Sequence, residues 1–321
     1  MSLRLEHVIA LGTGSAVLRA SPTSETGIIT AVGRALLVTD TTDPRRQAFY
    51  RGHDANVTAL DVSFDGSLIA TGQDASPFAP GHDAPVIVWK TPGMAQVFHL
   101  LGITRRVRAL AFSPDGYLLA AAGGDNVIVI WDVRTSETVY LKRQGLAGTA
   151  DDVPFITWGP VERPAGGSKP TYSLAFSLQD RVFVAVLTYD HSVLQYRVAI
   201  NTAAFPSTGF SRLYACGAYA GGLLALGTTS GELAVFTAPP SGGPVFKAVV
   251  PAATGGVLAL VAVAALSGGG AVIYCGGGDG AVRALASGPG ASSWQVRAGA
   301  WPGAAAMSPS SPPCRCPTPN P

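Results

Sequence analysis

Among the five histidines and four cysteines of the chain, one group sits where it could do acid–base chemistry: His53, between Gly52 and Asp54. An imidazole beside a carboxylate can serve as a general base, but it also needs a nucleophile or a second carboxylate within hydrogen-bond reach. No such partner is spaced with it, so His53 reads as a structural hydrogen-bonding group. His191, in Tyr189-Asp190-His191-Ser192, reads as a turn residue. Cys314-Arg315-Cys316 is half of a zinc site at best, because no histidine or second cysteine pair lies near it. Cys216 and Cys275 fall in predicted strands, and four scattered cysteines do not make a disulfide framework. No catalytic residue, cofactor or metal ion is therefore expected, and the cysteines point to a reduced compartment.

Binding chemistry has to be local as well. Lys and Arg number 22 against 20 Asp and Glu, a net charge of +2, so there is no bulk attraction to nucleic acid or an anionic membrane. Apolar residues make up 47%, yet 39 glycines and many alanines raise the hydropathy without building large cores. The charge-free stretch between Lys247 and Asp279 is long enough to cross a bilayer, but Pro251, Gly255, Gly256 and the Gly268-Gly269-Gly270 run break it. The opening residues, MSLRLEHVIALGTG, carry Arg4 and Glu6 and lack the apolar core of a signal peptide. A cytoplasmic protein is expected.

The elements that position these groups are short strands. In residues 106–133, RVRALAFSPDGYLLAAAGGDNVIVIWDV, a first strand (107–112) ends at Ser113-Pro114-Asp115-Gly116, where proline fixes φ and glycine supplies a positive one, so the chain reverses. A second strand (117–122) turns at Gly124-Asp125-Asn126 into a β-branched third (127–131) closing on Trp131-Asp132. Aligning other copies on the residue five places after that second turn marks Val38, Trp89, Tyr196, Phe236 and Leu285 beside Trp131. Six copies result, at intervals that fit a repeat of about 40 to 45 residues once insertions are allowed.

The combination of Ser-Pro-Asp-Gly, a small-residue strand, a Gly-Asp turn and Trp-Asp resembles the WD repeat, which implies an all-β propeller with one four-stranded blade per copy. Six blades and a partial seventh are expected over residues 1–298. Residues 3–11 would be the closure strand of the seventh, and 299–321 a disordered Pro-, Ala- and Ser-rich tail. In copy one the strands read 16–20, 27–32, 35–39 and 47–50; in copy two 57–62, 68–72 and 86–89, with an extra turn at 73–84. Copy four is harder to register: 149–158 supplies its first strand with 161–169 as an insertion, or 172 resumes the pattern. The copy-six outer strand is placed at 293–297. WD repeats commonly bury a hydrogen-bonded set of His, Ser or Thr, and Trp, matched here by His53, Thr71 and Trp89. Trp131 and the turn residue Asp125 are likewise structural.

FYRGHDANVTALDVSFDGSLIATGQ, followed by an extra turn and PVIVWK, is similar in finer detail to the cilia- and flagella-associated WD-repeat family of doublet microtubules. So are the opening LRLEHVIALG and GTTSGEL at 227–233. The resemblance implies two consecutive seven-bladed propellers and a place inside the axonemal doublet of a cilium or flagellum, as a microtubule inner protein contacting tubulin and neighbouring axonemal proteins. This chain holds at most the first propeller, and blade three has Thr104-Arg105-Arg106 where a Gly-His pair is expected.

A non-enzymatic cytoskeletal scaffold is the expectation. The predicted innermost strands, 109–112, 173–176 and 257–263, supply hardly any carboxylates, histidines or cysteines for an enzyme. The alternatives are a generic cytoplasmic WD adaptor, for instance of a ubiquitin ligase or transport complex, and, third, a propeller enzyme. Connections between blades share one face in WD propellers, which gathers Arg51, Arg105, Arg106, Lys142 and Arg143 into a partner-binding patch suited to acidic tubulin. With most of a seventh blade missing, the first and sixth blades are expected to expose apolar faces, and the composition change after Trp301 reads as a misread exon end.

Overall fold

The computed structural model describes residues 18–43, 45–78, 81–124, 126–142, 153–164, 169–203, 212–220, 222–238, 243–264, 271–287 and 294–297, with the backbone alone described at 264, 287 and 294–297. These residues form six antiparallel four-stranded sheets, each in chain order. Sheet one holds β1 (Leu18–Ala20), β2 (Gly27–Val32), β3 (Ala35–Asp40) and β4 (Gln47–Arg51). Sheet two holds β5 (Val57–Val62), β6 (Leu68–Gln73), β7 (Val86–Lys90) and β8 (Ala95–Leu100). Sheet three holds β9 (Val107–Phe112), β10 (Leu118–Gly123), β11 (Ile128–Asp132) and β12 (Thr138–Lys142). Sheet four holds β13 (Ile156–Trp158), β14 (Tyr172–Leu178), β15 (Arg181–Asp190) and β16 (Gln195–Thr202). Sheet five holds β17 (Tyr214–Ala220), β18 (Leu223–Thr228), β19 (Glu232–Thr237) and β20 (Val245–Pro251). Sheet six holds β21 (Val257–Ala264), β22 (Ala271–Gly277), β23 (Val282–Ser287) and β24 (Trp294–Arg297).

The reversals come from the turn residues themselves. In sheets two and three the serine that opens the first turn caps it twice over: Ser63 Oγ donates to Asp65 at 2.6 Å and accepts from Leu68 N at 2.9 Å, and Ser113 makes the same pair of bonds to Asp115 and Leu118. Gly66 and Gly116 then take the positive φ that a side chain would resist.

Each of sheets two to five buries one face on its predecessor and one on its successor, so the core is not one mass but a series of layers. Five apolar clusters lie between sheets one and two, two and three, three and four, four and five, and five and six. The innermost strand of each later sheet packs on the sheet before it. Close approach is set by single glycines at the end of the second strand. A Cβ on Gly72 would lie 2.4 Å from Val107, and one on Gly227 2.6 Å from Val257.

Two readings of the fourth sheet need correction. Tyr196 belongs to the fourth strand, β16, rather than the third, and residues 173–176 lie in the second strand, β14, rather than the innermost. The innermost strand is β13, so the insertion follows it, between residues 158 and 172. The register slipped because the turn from second to third strand is Gln179-Asp180, where Gln179 holds a φ of 55° without glycine, and because β15 runs for ten residues. The predicted closure strand at 3–11, Asp125, Arg143, Cys314, Cys316 and the 299–321 tail lie outside the described residues.

Candidate interaction surfaces

Turns between second and third strands, and connections from one sheet to the next, open on the same rim of the array. Backbone bonds tie them together there: Val57 N to Gly33 O, Asp74 N to Asn56 O and Gly124 N to Arg106 O. First-to-second and third-to-fourth turns meet on the other rim, as Thr91 N to Ser67 O and Val133 N to Tyr117 O show.

The first rim is anchored by a buried polar chain in sheet two. His53 Nδ1 lies 2.7 Å from Gln73 Oε1, which can only accept, so the imidazole proton resides on Nδ1. His53 Nε2 is then an acceptor, 2.7 Å from the Thr71 hydroxyl, which donates to it and accepts from Trp89 Nε1 at 2.7 Å. Beyond Gln73 the chain continues outward: its amide donates to Asp54, whose other oxygen accepts from Ser76. Burial drives the His53 pKa below its ordinary 6.5, partly opposed by the Gln73 bond. The Ser76 and Gln73 bonds hold the Asp54 carboxyl below its usual range. Both ring nitrogens of the neutral imidazole are committed to fully buried partners, Gln73 and Thr71, so His53 joins core to loop. Gly52 completes the anchor, because a Cβ there would meet Gln96 Nε2 at 2.4 Å and Trp89 at 3.0 Å.

What this chain anchors is the extra turn after β6. It bears Phe78, 76% exposed, at the edge of a groove of about 380 Å3 whose lining includes Arg34, Asp54, Asn56, Asp74 and Pro77. Of the predicted basic residues, Arg51 ends β4, Arg105 and Arg106 precede β9, and Lys142 ends β12, all on this rim. Arg51 and Arg105 are exposed, whereas Arg106 and Lys142 are half-buried. Arg106 Nε is enclosed without a hydrogen-bond partner, so it is poorly placed to meet a partner's carboxylate.

Sequence reasoning missed the aromatic members of the surface. Phe78 was read only as part of a loop, and Arg34 not at all. On the opposite rim Phe64 is 91% exposed at the turn where sheet three has Pro114, and the Arg134 guanidinium stacks 4.4 Å over Tyr117. A phenylalanine inside a Ser-Phe-Asp-Gly turn was the available signal, since a turn tip has no core to bury it in. On the innermost strands, Asp61 of β5 pairs with Arg19 of β1 at 3.1 Å and accepts from Phe112 N at 2.9 Å. Burial raises its pKa, with Arg19 opposing. Among the described residues no three His, Cys, Asp or Glu side chains could together hold a metal ion, and no helix is long and apolar enough to cross a membrane.

The comparisons with known proteins agree with this architecture. The family "WD domain, G-beta repeat" matches residues 44–76 and 95–132. Cilia- and flagella-associated protein 52 of Chlamydomonas reinhardtii is 35% identical over 135 residues, 40% of this chain and 21% of that protein. Centriole proteome protein 16 of the same alga is 30% identical over 139 residues, 34% of this chain and 7% of that protein. The chain thus spans about a fifth or less of these two relatives. The crystal structure of RRP9 WD40 repeats superposes with a TM-score of 0.61 at 15% identity, covering 91% of this chain and 82% of that one, a likeness of fold alone. The chain has a propeller architecture, carries WD repeats at residues 44–76 and 95–132, and is similar over part of its length to cilia- and flagella-associated protein 52.

Proposed function

We propose that this chain is a non-enzymatic scaffold of the ciliary or flagellar axoneme, which holds tubulin and neighbouring axonemal proteins on the rim that carries Arg51, Arg105 and Phe78. The observation behind the reading is the rigid presentation of that rim in a repeat array whose relatives are named for cilia, flagella and the centriole. Exposed arginines on the same rim as an exposed aromatic suit a partner that offers carboxylates and apolar side chains, as an acidic protein surface does. Each exposed ion pair contributes only about 0–1 kcal/mol, so the surface has to work through several contacts at once.

Co-sedimentation of the full chain with microtubules tests the tubulin contact. Arg51→Glu with Arg105→Glu should lower the bound fraction several-fold and leave the thermal transition in place; both are exposed, whereas Arg106 is half-buried and its replacement would disturb packing. Unchanged co-sedimentation of that folded variant would defeat the patch. A tagged protein that stays diffuse in ciliated cells and is lost on axoneme extraction would instead favour a generic WD adaptor.

A further inference from the structure

Three segments meet on the first rim between sheets one and two, and their backbones hold them side by side. Val57 N donates to Gly33 O, and Asp74 N donates to Asn56 O, both at 2.8 Å. The turn of sheet one, the connection between the sheets and the extra turn of sheet two are laced together in that order. The groove of about 380 Å3 runs along this lacing, lined by Arg34 from the first segment, Asn56 from the second, and Asp74 and Phe78 from the third. The same rung recurs between sheets two and three, where Gly124 N donates to Arg106 O at 2.8 Å. There only residues 124–127 separate the second strand from the third, whereas in sheet two residues 74–85 do so. The added length supplies the far wall.

The polar groups of the groove divide into spent and free. Asp54 is spent, because one oxygen accepts from Gln73 and the other from Ser76. The Ser76 hydroxyl in turn accepts from Phe78 N at 3.3 Å, which fixes the ring at the groove's edge, 76% exposed. Asp74 uses one oxygen on Ala75 N at 2.8 Å and keeps the other. The Arg34 guanidinium and the Asn56 carboxamide are exposed and make no hydrogen bond or ion pair among the described residues. A free guanidinium recognises a carboxylate, and an exposed ring an apolar side chain. A carboxamide beside a carboxylate oxygen offers the donors and acceptors that the backbone of an extended chain needs. A groove of this volume takes a few side chains, so its occupant is a segment rather than a folded surface.

We propose that the groove binds an extended peptide segment of a partner protein, in which a carboxylate side chain stands next to a bulky apolar one. Arg34 reads the carboxylate and Phe78 covers the apolar side chain. The free oxygen of Asp74 accepts a backbone N–H of the segment, and the Asn56 amide donates to a backbone carbonyl. The place of this site in the scaffold rests on the reading of the rim as the one that holds partners. Its specificity is its own, since Arg51 and Arg105 do not line the groove.

Random heptapeptides displayed on phage and selected against the immobilised full chain test this. Enriched sequences should place Asp or Glu next to Leu, Ile or Phe, and the most enriched peptide, labelled, is titrated by fluorescence anisotropy. Arg34→Glu and Phe78→Ser should each weaken its binding about tenfold, on the scale of an interface anchor. The same peptide with its carboxylate residue replaced by Lys should bind Arg34→Glu more tightly than it binds the parent, a reversal that no loss of folding produces. Arg34→Gln and Phe78→Ala repeat the weakening wherever a first variant lacks the parent's thermal transition. Arg51→Glu with Arg105→Glu should leave the peptide's affinity unchanged whatever it does to microtubule co-sedimentation, so the groove and the basic patch fail separately. Enrichment of no sequence, or of basic ones, overturns the proposal. So does an acidic peptide that binds Arg34→Glu as tightly as the parent.

Discussion

Sheets two and six are built from strands of similar length and the same turn order, yet they use their side chains differently. Sheet two is held on both faces and stitched through its middle by Trp89, Thr71 and His53, with Ile69, Ile87 and Val88 buried around them. Sheet six has no aromatic at the third-strand position, where Leu285 stands, and one of its faces is open. The difference teaches that a blade's stability here is a property of its interfaces more than of its own hydrogen bonds, which the two sheets share.

The largest expected effect tests that statement at its strongest interface. Trp131, 1% exposed in the cluster between sheets two and three, should lose about 3–5 kcal/mol on change to Ala. Leu285→Ala in sheet six should lose roughly 2 kcal/mol, the low end for a buried leucine, because an open side lets the sheet collapse onto the vacancy. Urea midpoints of the two variants decide it, and equal losses would break the comparison.

Next comes the polar stitch. Thr71→Val keeps the shape but removes the acceptor for Trp89 Nε1 and the donor to His53 Nε2, leaving two buried nitrogens unpaired. A loss of about 2–3 kcal/mol is expected from the same denaturation measurement. A variant within 0.5 kcal/mol of the parent, roughly the scale of a neutral surface change, would show that water replaces the hydroxyl as acceptor for Trp89 Nε1 and donor to His53 Nε2.

The glycines sharpen the comparison further. Gly72→Ala and Gly227→Ala each press a methyl into a valine of the next sheet and should cost about 1–2 kcal/mol by overpacking. Gly276→Ala meets open space and should change the midpoint by no more than about 0.5 kcal/mol, with a stabilising sign allowed by the reduced freedom of the unfolded chain. If all three cost the same, the sixth sheet is covered after all.

The smallest effect per pH unit concerns His53. Its folded pKa lies below the ordinary 6.5, so below that pH the unfolded chain binds the proton more readily than the folded one. Its contribution is complete above about pH 6.5 and is lost as the pH falls toward the folded value, by at most about 1.4 kcal/mol per pH unit. Asp54, held below 3.8 by its bonds, acts in a separate and more acidic window. Stability measured from pH 8 to pH 5 should fall in the parent and stay flatter in His53→Gln.

Strands were legible where a turn glycine stood out, at Gly33 in sheet one, Asp65-Gly66 in sheet two, Ser113-Pro114-Asp115-Gly116 in sheet three, Gly231 in sheet five and Gly280 in sheet six; β8, β17 and β20 were not called. Sheet four was misregistered because its decisive turn uses Gln179, and because Leu194 rather than His191 takes the positive φ, 57°, at the next one. Neither residue type signals a reversal, so only the completed pairing of β15 with both neighbours fixes the frame. Of the candidate surface, the basic residues could be read from connections between strands. The groove could not, because it exists through Asp54 reaching Ser76, a contact between residues 22 apart that leaves no periodic trace. Nor could the burial of Arg106 Nε, which depends on how its connection folds under the rim.

The hydrogen-bonded line from Trp89 through Thr71, His53 and Gln73 to Asp54 and Ser76 also sets a clock. Ser76 is tied to Asp54, and Asp54 to Gln73, which is buried in the middle of sheet two. The base of the extra turn is therefore bound to open at the frequency of its blade rather than at that of a free loop, and its amides should exchange hydrogen together with those of β6. A partner arriving at Phe78 meets a surface whose waiting time for rearrangement is that of unfolding, so recognition there proceeds at the rate of encounter.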